Sequence, residues 1–263
     1  MKIALVTGAT SGMGREFARR IGGGRSSLDE LWVIGRSKEK LACLQAVSGK
    51  PLRPLSLDLE REEDLETLGR LLKRERPDIR LLVNCAGMGR IGTVSGLSQR
   101  EQCSCVRVNC EALTAVTCLC LPYMGRGARI IQMASAAAFV PQPGFAVYAA
   151  SKAYVLSLSR ALGVELRREG ITVTAVCPGA VDTPFFDHQA YPVPEYKKRF
   201  MASPEAVVEK ALRDAARGKQ LSVCGGSMKA LRLACRLLPT GMLMRIAYCG
   251  FLRSQKWKTA AKK

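Results

Sequence analysis

The stretch "KIALVTGATSGMG", from Lys2 to Gly14, decides the fold of this chain. Its first half is a short apolar run with β-branched residues, which is typical of a strand buried in a parallel sheet. Its second half is a glycine-rich turn, and the segment that follows, "REFARRIGG", has the apolar spacing of a helix and stops at glycines. The stretch therefore predicts a strand, a turn and a helix in that order.

The same alternation continues along the chain. Further buried strands are predicted in "LWVIG", "RPLSLDL", "IRLLVNCAG", "ARIIQMAS", "ITVTAVCPG" and "KQLSVCG", with helical segments between them. Such alternation predicts an α/β fold in which a doubly wound parallel sheet has helices on both faces. We expect a single domain over residues 1–226, followed by a basic amphipathic helical extension over residues 227–263.

The glycines of the first turn stand at positions 8, 12 and 14. Gly8 permits a tight turn, Gly12 lets a pyrophosphate approach the backbone, and Gly14 lets the helix pack closely on the strand. Between a strand and a helix, this turn favours a nucleotide-binding site.

The composition is that of a globular protein with an uneven charge. The 263 residues carry a net charge of +19, and eleven bases but no acid follow Asp214. Eleven cysteines without a CxxC pair and a single histidine, His188, predict no metal site, and most cysteines are expected to be small buried side chains in a reducing compartment. We see no signal peptide and no apolar run that could span a membrane, so a cytoplasmic location is expected.

Tyr148 and Lys152 stand four residues apart in "VYAASKAYV", which places them on one face of a helix. An ammonium group near a phenol favours the phenolate and lowers the phenol pKa. The pair is therefore a candidate acid and its tuning cation.

Several motifs appear in one order along the chain: T-G-x-x-x-G-x-G at residues 7–14, N-x-A-G at 84–87, Asn109, Ser135, Y-x-x-x-K at 148–152 and P-G at 178–179. Ser135 precedes Tyr148 by thirteen residues and Asn109 precedes it by thirty-nine. In these motifs the sequence resembles the short-chain dehydrogenase/reductases, which have a Rossmann-like fold. The resemblance covers about residues 1 to 190.

The resemblance implies the roles of four catalytic residues. Tyr148 would donate a proton to the oxygen of a substrate carbonyl, or remove it in the oxidative direction, and Ser135 would hydrogen-bond the same oxygen. Lys152 would lower the tyrosine pKa and hold the nicotinamide ribose, while Asn109 would place a water that links Lys152 to solvent.

The resemblance also implies the residues that bind the cofactor. Asp58 would border the adenine, and Thr183 would reach the nicotinamide end. Together with Tyr148 and Lys152, the predicted set is Gly8, Thr10, Ser11, Gly12, Met13, Gly14, Arg36, Asp58, Leu59, Asn84, Ala86, Gly87, Pro178, Gly179, Val181 and Thr183.

NADP(H) is favoured over NAD(H) by the end of the second predicted strand. An acid there would bind a ribose 2′-hydroxyl, whereas an arginine suits a 2′-phosphate, and the chain has Gly35 and Arg36. Asp29 and Glu30 precede the strand, at the wrong end of the sheet.

The segment over about residues 184–202 corresponds to the substrate lid of the family. Its aromatic residues, Phe185, Phe186, Tyr191 and Phe200, favour an apolar substrate, and His188 is expected on its surface. A hydrophobic ketone or secondary alcohol, such as a hydroxysteroid, is preferred, and the alternative enzyme is a 3-oxoacyl thioester reductase of lipid metabolism. A non-catalytic nucleotide-binding scaffold at the membrane is the other class of function.

The C-terminal extension is predicted to form an amphipathic helix with its apolar and basic residues on different sides. "SMKALRLACRLLP" places Leu231, Ala234, Cys235 and Leu238 on one side of a helix and Lys229, Arg232 and Arg236 on another. Such a segment can bind an anionic membrane, pack on its own domain or contact another subunit of a homo-oligomer. Nucleic acid is not expected, because few aromatic residues accompany the bases.

Overall fold

The computed structural model describes residues 1–24, 27–46, 48–186 and 201–249. A sheet of seven parallel strands, in the order β3-β2-β1-β4-β5-β6-β7, forms its centre. The strands are β1 (Lys2–Thr7), β2 (Glu30–Gly35), β3 (Leu52–Ser56), β4 (Asp78–Asn84), β5 (Arg129–Met133), β6 (Thr172–Val176) and β7 (Leu221–Ser222). The predicted doubly wound parallel sheet is confirmed.

Helices cover both faces of the sheet. They are α1 (Gly12–Gly22), α2 (Lys38–Gln45), α3 (Glu62–Glu75), α4 (Gln99–Val106), α5 (Leu113–Cys120), α6 (Ala146–Glu165), α7 (Pro204–Ala216), α8 (Gly226–Leu237) and α9 (240–249). One core cluster joins the sheet to α3, α5 and α6, and the other joins it to α1, α2 and α7.

The alternation of side chains along the strands explains the two clusters. Ile3 and Leu5 of β1 belong to one cluster, whereas Ala4 and Val6 belong to the other, and all four are fully buried. Because successive side chains of a strand point to opposite faces, a strand that is covered on both faces is a continuous apolar run.

Helix α7 is joined to the edge strand β7 by a buried carboxylate. Ser203 caps the helix, since its hydroxyl accepts a hydrogen bond from the Ala206 N–H. Near the helix end, Asp214 is 3% exposed and accepts hydrogen bonds from Ser222 Oγ of β7 at 2.8 Å, Lys210 Nζ at 2.8 Å and Lys219 Nζ at 2.9 Å.

A continuous helical stretch from Gln99 to Tyr123 has the length and composition of a membrane span, which the sequence analysis did not predict. It comprises α4, a π-helical segment (Arg107–Ala112), α5 and a short 3₁₀ turn. Ala112, Val116 and Cys120 belong to the core cluster that joins the sheet to α3, α5 and α6, and the polar Asn109 is fully buried. These contacts make it a helix of the protein core.

The prediction that most cysteines are buried was wrong. All eleven are free thiols, but only Cys105, Cys120 and Cys177 are buried, four are half-buried and four are exposed. A small side chain is compatible with either location, so the residue type alone did not decide burial.

Candidate active site

The glycine-rich turn joins β1 to α1 at the carboxyl end of the sheet. A Cβ atom at Gly14 would lie 2.1 Å from the Gly8 oxygen, so the close packing of turn and helix requires glycine there. Gly12 has φ of +50° and lies against the Thr183 side chain, where an added Cβ would be 3.2 Å from Thr183 Cβ. The turn and the segment after β6 therefore lie side by side.

The N-terminus of α1 has the properties of an anion site. Ser11 is the N-cap, but its side chain does not cap the helix, and the first turn contains no acidic residue. The free N–H groups and the helix dipole there favour a phosphate. The glycine-rich turn and this helix start fit the pyrophosphate of a dinucleotide.

The ends of β1 and β4 are locked together beside this turn. Thr7 Oγ1 accepts hydrogen bonds from the Cys85 and Ala86 N–H groups, both at 3.0 Å. Asn84 is 2% exposed, and its side-chain amide donates to Thr117 Oγ1 at 2.9 Å. The Asn84 side chain thus holds α5 to the sheet, while its Oδ1 has no hydrogen-bond partner among the described residues.

Ser135 follows β5 and begins a 3₁₀ turn (Ala136–Phe139). Its hydroxyl accepts a hydrogen bond from the Ala137 N–H at 3.1 Å, and the neighbouring Ala136 N–H donates to the Pro178 carbonyl at 2.8 Å. The serine and the P-G segment are therefore held in fixed positions relative to each other.

Tyr148 and Lys152 lie one turn apart near the start of α6, as predicted, and the lowering of the tyrosine pKa by Lys152 stays a prediction. Burial raises the pKa of Tyr148 to about 12, and the Ser135 side chain acts in the opposite direction. Lys152 Nζ lies 5.7 Å from the Tyr148 ring centre and donates a hydrogen bond to the Met133 carbonyl at 2.8 Å.

The spacing of the pair could not show that Met133 would be the hydrogen-bond partner of Lys152. The lysine is 4% exposed, and its burial lowers its own pKa. Because burial raises the pKa of Tyr148, the phenol is neutral at neutral pH, and a neutral phenol can donate a proton.

Asn109 lies in the π-helical segment between α4 and α5 and is fully buried. Its Oδ1 accepts from the Met88 N–H at 2.9 Å, and its Nδ2 donates to the Met88 carbonyl at 2.8 Å and to Ser151 Oγ at 2.9 Å. A Cβ at Gly87 would lie 3.2 Å from Asn109 Oδ1 and 3.3 Å from Lys152 Nζ. The asparagine, the lysine and the loop after β4 therefore meet at Gly87, and the water-placing role of Asn109 stays a prediction.

The predicted 2′-phosphate site lies where β2 and β3 end. Arg36 is exposed directly after Gly35, and its carbonyl accepts from Ser56 Oγ at 3.3 Å. A Cβ at Gly35 would lie 2.4 Å from Thr10 Cγ2, so Thr10 of the glycine-rich turn packs on this strand end. These contacts place Arg36 beside the turn.

Asp58, the predicted border of the adenine, has polar contacts, whereas the neighbouring Leu59 lies in the apolar core. Asp58 Oδ1 accepts from the Glu60 N–H at 3.2 Å, and Leu59 is 8% exposed within the core. Glu60, which the sequence analysis did not single out, pairs with Arg107 at 3.0 Å. A hydrogen bond from Ser104 and the Arg107 guanidinium hold the pKa of Glu60 below its ordinary value.

The segment after β6 carries Val181 and Thr183, two of the residues predicted to bind the cofactor. Val181 forms a β-bridge with Ala202, and the Asp182 N–H donates to the Ala202 carbonyl at 3.0 Å. These contacts join the end of the predicted lid to the residues just before its start. Of that lid, residues 187–200, with His188, Tyr191 and Phe200, lie outside the described residues.

Three residues of the site were missed by the sequence analysis. Phe145 stacks on Tyr148 with ring centroids 4.2 Å apart, and Gly89 lies directly against the same tyrosine ring. Met228 of α8 lies against Gly179, where a Cβ would be 2.8 Å from its sulfur. The three-residue spacing of Phe145 and Tyr148 is the one signal that could have revealed a contact.

Comparisons with known proteins show the family of the chain. The family model described as short chain dehydrogenase matches residues 2–191. The chain is 33% identical over 186 residues to the 3-oxoacyl-[acyl-carrier-protein] reductase FabG of Haemophilus influenzae, a match that covers 69% of this chain and 75% of the relative. The chain belongs to the short-chain dehydrogenase family and is an oxidoreductase.

Two solved structures are similar over nearly the whole chain. A short-chain dehydrogenase from Sphingobium yanoikuyae in complex with NADPH is 29% identical, with a TM-score of 0.76 and coverage of 90% of this chain and 94% of that chain. The bulky-bulky ketone specific alcohol dehydrogenase from Comamonas testosteroni is 26% identical, with a TM-score of 0.71 and coverage of 90% and 92%.

Proposed function

We propose that this protein reduces a hydrophobic ketone to a secondary alcohol with NADPH. The observation that carries the proposal is what surrounds Tyr148. Ser135 hydrogen-bonds its hydroxyl, Lys152 Nζ lies 5.7 Å from its ring centre, and an aromatic wall packs against its ring. The phenol is protonated at neutral pH, which is the form that carbonyl reduction needs.

The aromatic wall favours a bulky apolar substrate. Phe145 stacks on Tyr148, Phe185 lies 5.6 Å from it between ring centroids, and Phe186 meets Phe185 edge to face at 5.2 Å. Flat apolar molecules gain from contact with such faces, so a steroid ketone is our preferred substrate.

Each residue around the carbonyl has a distinct task. When bound, the nicotinamide supplies the hydride. Tyr148 gives its proton to the carbonyl oxygen, and Ser135 hydrogen-bonds that oxygen and stabilises its developing negative charge. Lys152 holds the ribose and returns a proton towards Tyr148, and Asn109 keeps the loop at Met88 in place beside the lysine.

The choice of NADPH rests on Arg36. It is an exposed cation at the carboxyl end of β2, whereas Glu30 stands at the other end and pairs with Arg53 at 3.3 Å. A guanidinium group can bind a 2′-phosphate through charge-assisted hydrogen bonds. The NADPH complex of the Sphingobium yanoikuyae protein is consistent with this choice.

A 3-oxoacyl thioester is the second candidate substrate, favoured by the 33% identity to a 3-oxoacyl-[acyl-carrier-protein] reductase. The experiment that separates the candidates compares kcat/KM for steroid ketones and for 3-oxoacyl thioesters, with NADPH and with NADH. We expect the steroid ketones and NADPH to be preferred. Preference for thioesters would select the second candidate, and the absence of cofactor oxidation with every ketone would leave the non-catalytic scaffold.

The aromatic wall gives a matched control. Phe185→Leu should raise KM for the bulky ketone much more than for a small ketone, because only the bulky ketone extends far enough to contact the ring of Phe185. Tyr154→Phe, on the exposed side of the same helix as Tyr148, should leave both values unchanged.

A further inference from the structure

The last two helices, α8 and α9, expose an unusual number of large apolar side chains. We call this set the C-terminal face, and it consists of Leu233, Leu237, Leu238, Met242, Ile246 and Tyr248. Leu237 is 73% exposed and Ile246 is 63% exposed. Single exposed apolar residues are ordinary, but six within sixteen residues mark a contact surface.

The opposite side of α8 is what attaches this surface to the protein. Leu231, Ala234 and Cys235 are half-buried, and Met228 at the start of the helix lies against Gly179. Helix α8 also contacts the 3₁₀ turn that follows Ser135. The helix is therefore attached beside the candidate active site, and its outward side carries Leu233 and Leu237.

Positive charge surrounds the C-terminal face. Lys229, Arg232, Arg236 and Arg245 lie on α8 and α9 and form no ion pair with the described residues. The sequence beyond residue 249 adds five more bases, and no acid follows Asp214. Whatever covers this face must therefore tolerate or supply negative charge.

A second copy of the chain does not meet that requirement. In a two-fold symmetric dimer the same patch faces itself, so the bases of one copy would meet the bases of the other. Like charges brought together across an interface weaken it. An anionic lipid bilayer instead offers negative headgroups next to an apolar interior, and it matches the mixture of bases and apolar side chains.

We propose that the C-terminal face docks the protein on anionic membrane, with its apolar side chains below the headgroups and its bases among them. This inference goes beyond the proposed function and does not depend on it. Docking there would bring the active site near a membrane that dissolves apolar molecules.

The test is co-sedimentation of the full chain with phosphatidylcholine vesicles, with and without phosphatidylserine. Binding should require phosphatidylserine and should fall when salt is raised, because the Debye length shrinks from about 30 Å at 0.01 M to about 3 Å at 1 M. No binding to phosphatidylserine vesicles at low salt, or equal binding to both kinds of vesicle, would overturn the proposal.

Surface variants separate the charged and apolar contributions. Arg236→Gln with Arg245→Gln should weaken binding to phosphatidylserine vesicles about 25-fold, since each base near such a surface contributes about fivefold. Leu237→Ser with Ile246→Ser should weaken it by at least as much. The control is Val164→Ser on α6, which is 61% exposed and lies outside the C-terminal face, and it should bind as the wild type does.

A second copy of the chain on the C-terminal face would give a different result. If the wild type ignores vesicles but is a dimer by light scattering, and Leu237→Ser with Ile246→Ser makes it a monomer, the face is a subunit contact and the membrane proposal is wrong. Both side chains are mostly exposed, so these variants are expected to fold.

Discussion

Gly89→Ala should displace the candidate catalytic tyrosine without unfolding the protein. A Cβ at position 89 would lie 2.4 Å from Tyr148 Cδ2 and 3.1 Å from a ring carbon of Phe145. Carbon atoms in contact are normally about 3.5–4.0 Å apart, so the tyrosine ring must retreat by about 1 Å. Phe145 is stacked on that ring at 4.2 Å and must move with it.

The size of the effect follows from this displacement. A misplacement of about 1 Å can lower a rate about 100-fold, whereas overpacking by one methyl group costs about 1–3 kcal/mol of stability. We therefore expect kcat for ketone reduction to fall about 100-fold, with a folded protein and an NADPH Kd close to that of the wild type.

The assay is NADPH oxidation at saturating ketone, with thermal unfolding and NADPH titration on the same preparations. Gly125→Ala is the matched control, since no heavy atom lies within 4 Å of the added Cβ there. An unchanged kcat in Gly89→Ala would refute the assignment of Tyr148, and equal losses in both variants would show that the effect is not local.

Three further predictions concern other parts of the molecule. Lys152→Met should lose both kcat and cofactor affinity, and a change in only one of them would contradict its double role. Arg36→Ala should raise KM for NADPH about 10- to 100-fold but leave KM for NADH unchanged, since a charge-assisted contact contributes about 1.5–3 kcal/mol. Burial opposes ionisation of Asp214, but hydrogen bonds from Lys210 and Lys219 outweigh it and lower its pKa to about 2. Because that folded pKa lies below the unfolded one, the carboxylate stabilises the fold above about pH 4 and loses this effect as the pH falls towards 2. Asp214→Asn should therefore lower the free energy of unfolding at pH 7 by about 2 kcal/mol, and urea titrations should show a smaller loss at pH 3.

The strands and the glycine-rich turn could be predicted because their signals are local. A buried strand of a parallel sheet is a short apolar run, and a glycine forced by a close contact, such as Gly14, stands where the turn needs it. Ser203, the cap of α7, is a local signal of the same kind, because it stands directly before the first residue of the helix. Only two residues of the predicted last strand, Leu221 and Ser222, pair with β6, because pairing at a sheet edge depends on the neighbouring strand.

The details of the site depend on contacts that a spacing cannot show. The four-residue interval placed Lys152 beside Tyr148 but could not show that Met133 would accept its hydrogen bond. The π-helical segment at Asn109 shifts the hydrogen-bond register of a helix whose sequence periodicity looks ordinary. Gly89 could not be recognised either, since its closest neighbour, Tyr148, is distant in sequence.

The most direct test of the account compares Tyr148→Phe with the wild type in ketone reduction and in NADPH binding. The phenylalanine keeps the ring that packs on Phe145 and removes only the acid. We predict that kcat falls at least about 100-fold, as expected when a general acid is lost, while the NADPH Kd stays the same. Retention of more than about a hundredth of the wild-type kcat would contradict the central claim that Tyr148 is the proton donor.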